Sequence, residues 1–310
     1  MGIAAAYKLN KNSIVAFVAN YIPVSADSSP PQFPPIIGTG FIVREDGVIA
    51  TNEHVVKAFS QVPIPVGASQ DQWGHIRCVK LTLTDKGMIE IPLQIINIVG
   101  VKFTPGGPEY YGPQSGLDLA FVHVKARGLP AVVLDDRSSI EEGAEIGTAG
   151  FPMGTDALMA PGWIHQVTPT LQRGIVSAVL PFTCPTPHAY SINVMVQGGA
   201  SGSPVFLSDS GAVIGVVYGG LNDQRVTYVT SQNGPGNSDE HHHLYTVPTN
   251  ISYVVPSHYI RSAIEGFEKL DQLKTPSDAR TIEEMLEGAT FNNALHGRQW
   301  GQAPEVKQTT

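Results

Sequence analysis

Gly198-Gly199-Ala200-Ser201-Gly202-Ser203-Pro204-Val205 is the stretch whose reading decides the fold. A serine hydroxyl is a poor nucleophile at its own pKa. A chain that uses one must hold it in a tight turn, beside a base, with backbone N–H groups free to receive a developing oxyanion. Glycines on both sides of Ala200-Ser201 suit that turn, because they adopt dihedrals closed to other residues and let a substrate approach the backbone. A glycine-rich hairpin with an exposed serine reads the same way in isolation. The stretch becomes informative only if a base and its orienting acid stand elsewhere in the chain.

The surrounding composition sets the class of scaffold. The chain has 310 residues, 42% of them hydrophobic and only 15% charged, with Gly 32 and Pro 24. That mix favours many short strands joined by tight turns over long surface helices. A formal net charge of -8 without a basic run argues against nucleic acid or an anionic membrane surface as the main partner. Cys78 and Cys184 lie far apart without metal spacing, which predicts two free thiols. Scarce cysteine, an N-terminus without a signal-peptide core, and no run near the roughly twenty apolar residues of a membrane span together predict a cytoplasmic protein.

Upstream, Ile36-Ile37-Gly38-Thr39-Gly40-Phe41-Ile42-Val43-Arg44 and Gly47-Val48-Ile49-Ala50-Thr51 read as a hairpin about Glu45-Asp46-Gly47. The second strand runs into Asn52-Glu53-His54-Val55-Val56-Lys57-Ala58-Phe59, whose apolar spacing suits one short helical turn. His54 therefore sits where a strand hands over to a helix. Farther on, Asp118 opens the apolar strand Leu119-Ala120-Phe121-Val122-His123-Val124. The order is then His54, Asp118, Ser201. An α/β-hydrolase runs Ser, Asp, His and needs Gly-x-Ser-x-Gly, whereas Ser203 occupies the last position of that motif here.

Gly-Thr-Gly-Phe-Ile-Val followed by Ala-Thr-Asn-Glu-His-Val-Val resembles the histidine region of trypsin-like (chymotrypsin-fold) serine peptidases, above all the HtrA/Deg branch. Asp118-Leu119-Ala120 resembles the acid region of that family. Gly143 through Pro152 and Gly174-Ile175-Val176-Ser177 resemble strands of its second barrel, and the run ending Pro256-Ser257 resembles the strand before its closing helix.

The resemblance implies an all-β fold of two six-stranded antiparallel Greek-key β-barrels with the active site between them, plus a C-terminal helical segment. It divides the chain into an N-terminal barrel over 1–127, a C-terminal barrel over 128–256, and helices with a polar tail over 257–310. His54 would act as general base, Asp118 as its orienting acid, Ser201 as nucleophile, and the N–H groups of Gly199 and Ser201 as oxyanion hole. Met195 would lie at the base of the specificity pocket and favour an apolar P1 side chain. Tyr218, Gly219 and Gly220 would border an extended peptide. Ala200 stands where digestive relatives carry an aspartate that pairs with a freed N-terminus, so activation by N-terminal processing is excluded.

The tail after residue 275 is too short for the PDZ domain most HtrA-like proteins carry. Its expected helix has Ser277 as cap and Ile282, Met285 and Leu286 on one face. The residues call for no cofactor and no metal, since the adjacent histidines 241–243 cannot all face one ion and read as an exposed loop. The expected partner is a polypeptide substrate, with a regulatory protein or a second copy of the chain beside it. Two alternatives stay open. One is a catalytically silent scaffold or peptide-binding module; the other is a protease switched on through the tail or the loop 153–170.

Overall fold

The computed structural model describes residues 1–19, 36–62, 76–84, 87–101, 116–137, 139–152, 169–232, 238–266 and 268–287. Within them β1 (Ile14–Ala19), β2 (Ile36–Arg44), β3 (Val48–Thr51), β4 (Ile76–Thr84), β5 (Gly87–Leu93), β6 (Ile95–Gly100) and β7 (Ala120–Val124) form one sheet in the order β5-β4-β1-β2-β3-β7-β6. A closed barrel follows. Its strands are β8 (Glu145–Gly150), β9 (Thr170–Leu180), β10 (Ala189–Ile192), β11 (Pro204–Leu207), β12 (Val213–Gln232) and β13 (Ser238–Pro256), in the order β10-β13-β12-β11-β8-β9.

All pairings are antiparallel, so the expected all-β double architecture holds. The first sheet has seven strands because one run of chain is split at Gln94, whose carbonyl takes the Lys125 N–H at 2.8 Å. β5 on one side of that bend borders β4, and β6 on the other borders β7. A strand that bends to serve two neighbours is a common way to turn a corner between sheets.

Alternation explains why the central strands read as nearly unbroken apolar runs. Phe41, Val43, Val48, Ala50 and Phe121 of the first sheet meet Phe206, Val213, Val216 and Val255 of the barrel in one shared core. Their neighbours Ile42, Ile49 and Val122 point the other way, into the interior of the first sheet. Val205, Ile214, Val217 and Val254 fill the interior of the second barrel. Both faces of these strands are thus buried, and side chains of period two supply both cores.

Helices seal the outside. α1 (Ile3–Lys11) was not foreseen, although Ala4-Ala5-Ala6 carries high helix propensity. Its buried Asn10 donates to the Ala6 carbonyl at 2.9 Å and to the Gly211 carbonyl at 2.8 Å, fastening the helix to the turn before β12. α2 (Glu53–Phe59) is the expected short helix. α3 (Ser257–Gly266) and α4 (Glu268–Asp271) bury Ile260, Ala263 and Leu270 in the shared core. α5 (Ile282–Glu287) is capped by Thr281 rather than Ser277. The Glu284 N–H donates to the Thr281 hydroxyl at 3.2 Å and the Thr281 N–H to the Glu284 carboxylate at 2.8 Å, a reciprocal capping box.

The polar sequence over 222–240 suggests an irregular surface excursion, yet its described residues, 222–232 and 238–240, lie in strands. β12 and β13 stay paired from Asn222↔Pro248 to Gln232↔Ser238, and the histidines at 241–243 lie in β13 opposite Val229, Tyr228 and Thr227. The proline-rich crossing at 25–35, most of the loop before Asp118, the loop 153–168, Phe267 and the tail from 288 lie outside the described residues.

Candidate active site

β3 ends at Thr51, buried Asn52 precedes the first turn of α2, and His54 is carried out on that turn. Asp118 reaches it from two residues before β7. The Asn52 side-chain amide donates to the Asp118 carbonyl at 2.9 Å, and one Asp118 carboxylate oxygen accepts the His54 backbone N–H at 3.0 Å. The other carboxylate oxygen lies 2.6 Å from His54 Nδ1. An ionised carboxylate only accepts, so Nδ1 carries the ring proton and Nε2 keeps a free lone pair. The imidazole is 48% exposed and the carboxyl 26%, which leaves the ring open to solvent and the acid mostly enclosed.

The nucleophile loop is fixed from the opposite side. The Ala200 N–H donates to the Gln197 carbonyl at 3.1 Å, closing a four-residue turn. Within it Gly199 has φ of 87° while Gly198 is not in the positive region. A hydrogen-bonded turn with positive φ at its third residue alone is type II, and it differs from type I by a flip of the central peptide. Among the described residues neither the Gly199 nor the Ser201 N–H is engaged by a hydrogen bond. The Ser203 hydroxyl and N–H both donate to the Ala200 carbonyl, at 2.6 Å and 3.0 Å, and lock the turn that follows.

Thr39 joins this loop to the first sheet. Its N–H donates to the Ser201 carbonyl at 2.9 Å, its hydroxyl donates to the Gly199 carbonyl at 2.8 Å, and that hydroxyl accepts the Phe151 N–H at 3.1 Å. The Thr51 hydroxyl donates to the Thr39 carbonyl at 2.8 Å, so the strand leading to His54 is tied through Thr39 to Ser201. Gly202 has φ of 89°, and a Cβ there would sit 1.8 Å from the Thr39 carbonyl oxygen and 2.5 Å from the Thr51 hydroxyl. Only glycine fits.

Thr39, Thr51 and Ser203 were not singled out as site residues by the sequence. The signal was a lone threonine between two glycines. A Cβ at Gly38 would meet Val55 at 2.7 Å and one at Gly40 would meet Phe17 and Ile49 at 2.8 Å, so both flanks pack inward while Thr39 faces the barrel.

The proposed substrate-side residues lie around the same edge. Met195 is exposed, with the Gln197 amide 3.9 Å from its sulfur. β12 carries a bulge at Tyr218, where the register moves from Val217↔Val254 to Gly219↔Tyr253. Bulges re-aim side chains and are frequent beside active sites. Tyr218 stacks on Tyr253 with ring centroids 6.0 Å apart, and a Cβ at Gly219 would meet nothing within 4 Å. Among the described residues no group of three or more His, Cys, Asp or Glu is placed to hold a metal ion.

Comparisons with known proteins show the family. The family described as "trypsin-like peptidase domain" matches residues 38–216. A relative from Halomonas elongata, named probable periplasmic serine endoprotease DegP-like, is 26% identical over 180 residues, covering 58% of this chain and 28% of its own length. One of the same name from Pseudomonas fulva is 30% identical over 183 residues with the same coverage. The solved structure titled HtrA-type protease AlgW with tripeptide shares 18% identity, covers 86% of this chain and 64% of its own, and has a TM-score of 0.45. The chain spans only 28% of the length of the curated relatives just named.

Those relatives are named periplasmic, which overturns the expected cytoplasmic location. That expectation rested on scarce cysteine together with the readings of the N-terminus and of apolar runs, and the first of these fails because three packed cores hold the fold with Cys78 and Cys184 both free. Cysteine count therefore carries no information on compartment here.

Proposed function

The chain belongs to the trypsin-like peptidase domain family, and on that premise we propose that it is a serine endopeptidase working through His54, Asp118 and Ser201. The observation that carries the reading is the 2.6 Å bond from His54 Nδ1 to Asp118, on a strand end tied through Thr39 to the Ser201 loop. Ser201 Oγ attacks a peptide carbonyl as His54 Nε2 takes its proton. The tetrahedral oxyanion is received by the N–H groups of Gly199 and Ser201, a reading supported by the type II turn and by the lack of a hydrogen-bond partner for either N–H among the described residues. His54 then returns the proton to the departing amine, leaving an acyl-enzyme. A water, deprotonated by the same imidazole, hydrolyses the ester and regenerates the hydroxyl.

Asp118 holds the tautomer and stabilises the imidazolium as it forms. Among the described residues no hydrogen bond joins Ser201 Oγ to His54. Unliganded catalytic hydrogen bonds are commonly long and tighten in the substrate complex. On this reading the first sheet supplies base and acid, and the barrel supplies nucleophile, oxyanion donors and the Met195 pocket. Met195 brings no carboxylate to select Lys or Arg, so the pocket suits an apolar P1 residue. The location we infer is that of the periplasmic relatives, outside the cytoplasm; fractionation that recovers the chain only from the cytoplasm contradicts it.

The test of the activity compares the intact chain with Ser201→Ala on peptides bearing Val, Leu or Arg at P1. Hydrolysis of the Val and Leu peptides that falls by about 10⁴-fold or more in the variant is expected. Turnover that survives the substitution contradicts the mechanism, and a preference for Arg contradicts the pocket.

A further inference from the structure

β12 and β13 are far longer than the barrel needs. Inside it β12 is covered on both edges, with β11 along one edge as Pro204↔Val216 and Val205↔Gly215, and β13 along the other. Val217 is the last residue so covered: its N–H donates to the Ser203 carbonyl and its carbonyl accepts the Gly202 N–H, both at 2.9 Å. From Tyr218 to Gln232 β12 pairs only with β13 among the described strands. Among the described residues the edge that holds the Ser201 loop at Val217 therefore takes no further strand from Leu221 onward, along a ribbon that reaches roughly 35 Å at about 3.4 Å per residue.

Two further observations mark this ribbon. A two-stranded ribbon is marginal in water without a third strand or a packed face. Its apolar side chains also stand in solvent: Leu221, Val226, Leu244, Tyr245 and Ile251 are five of the eleven large hydrophobic residues found exposed among the described residues. Val226 and Leu244 face each other across the ladder, beside the 2.9 Å Arg225–Asp223 ion pair. The bulge between Gly220 and Asn222 puts its extra residues into β13, where the Thr249 hydroxyl holds the Leu221 carbonyl at 2.7 Å. The free edge of β12 is left without an insertion there.

We propose that the free edge of β12 from Leu221 to Gln232 is an extended substrate-binding site, on which residues N-terminal to the scissile bond add as a third β-strand. The inference rests on the reading of the cleft as a peptidase site. β11 lies antiparallel on this same edge, so a strand continuing its line has its C-terminal end at Ser201 and its N-terminal residues along the ribbon. Main-chain hydrogen bonds supply the affinity in such strand addition, and exposed apolar side chains take alternate residues of the guest. The substrate class is an extended or unfolded polypeptide, cleaved at least about ten residues from its N-terminus.

The test uses the intact chain and two p-nitroanilide peptides. One is a tetrapeptide ending in Val; the other extends it N-terminally by about ten alternating Thr and Lys residues. The longer peptide is expected to show kcat/KM higher by about tenfold or more. N-methylation of one alternate set of the added amides removes that gain while methylation of the other set preserves it, since only every second residue bonds toward the ribbon. Replacing residues 222–248 by an Asn-Gly turn equalises the two peptides and leaves the tetrapeptide rate unchanged. Equal rates on the intact chain, a gain indifferent to N-methylation, or a gain that survives the replacement overturns the proposal.

Should the shortened chain fail to fold, the N-methyl series on the intact chain decides. Should neither peptide be cleaved, the peptidase reading fails, and fluorescence anisotropy with the labelled longer peptide judges the ribbon separately. Binding with the same two-residue period supports it. No binding, or self-association of the chain that excludes the peptide, overturns it.

Discussion

The Ser201 loop, our proposed nucleophile, and the His54–Asp118 pair, our proposed base and acid, are held in opposite ways. The loop is fastened by backbone atoms and by the Thr39 hydroxyl from the other sheet, with Thr39 itself held by Thr51 and with Ala200, Gly202 and Ser203 all buried. The pair hangs on one carboxylate, and its imidazole is half in solvent. The position of Ser201 is therefore part of folding, whereas the orientation of His54 is a property of a single contact. Damage to the loop's supports should cost stability and activity together. Damage to the pair should cost activity alone.

The largest expected effect is that of Gly202→Ala. It places a side chain against the Thr39 carbonyl in a backbone conformation closed to alanine, at a cost above about 4 kcal/mol. Thermal unfolding of any soluble product measures this, and a variant as stable as the parent would erase the contrast. Next comes Asp118→Asn, which should lower kcat/KM by about 10⁴-fold, the loss seen when such a carboxylate becomes an amide and the wrong imidazole tautomer is held. Its stability should change by no more than about 1 kcal/mol, because the site is partly exposed.

Thr39→Val is the smallest and the most discriminating. It strands the buried Phe151 N–H and frees the Gly199 carbonyl, costing about 1–3 kcal/mol in stability. With the turn no longer held, kcat should fall by about 10²-fold through the oxyanion hole. Thr39→Ser should restore both, and an unchanged kcat in the valine variant would show that the turn needs no support.

Much of the proposed site was legible because its chemistry would force rare residues into rare places. A histidine at a strand–helix junction, an aspartate opening an apolar strand, and glycines about Ser201 have few other reasons to occur in that order. Phe41-Ile42-Val43 and Val48-Ile49-Ala50 were equally legible as strands, since two-sided burial leaves a continuous apolar run. What escaped was whatever depends on a distant partner. α1 is held by the Gly211 carbonyl, which sequence distance hides. The ribbon of β12 and β13 is polar along Asn222-Asp223-Gln224-Arg225, and its pairing is set by the barrel register that launches it. The cap of α5 fell to Thr281 because Glu284 could reach back to it. Thr39 looked like one polar residue in a strand until the opposite loop was in view.

The central claim is that Ser201 is a nucleophile held ready by its loop. Labelling the intact chain with a fluorophosphonate probe, followed by peptide mapping, tests it most directly. Stoichiometric modification at Ser201, absent from Ser201→Ala and strongly slowed in Asp118→Asn, is the predicted result. No modification of the intact folded chain, or label found at Ser203 instead, would contradict it.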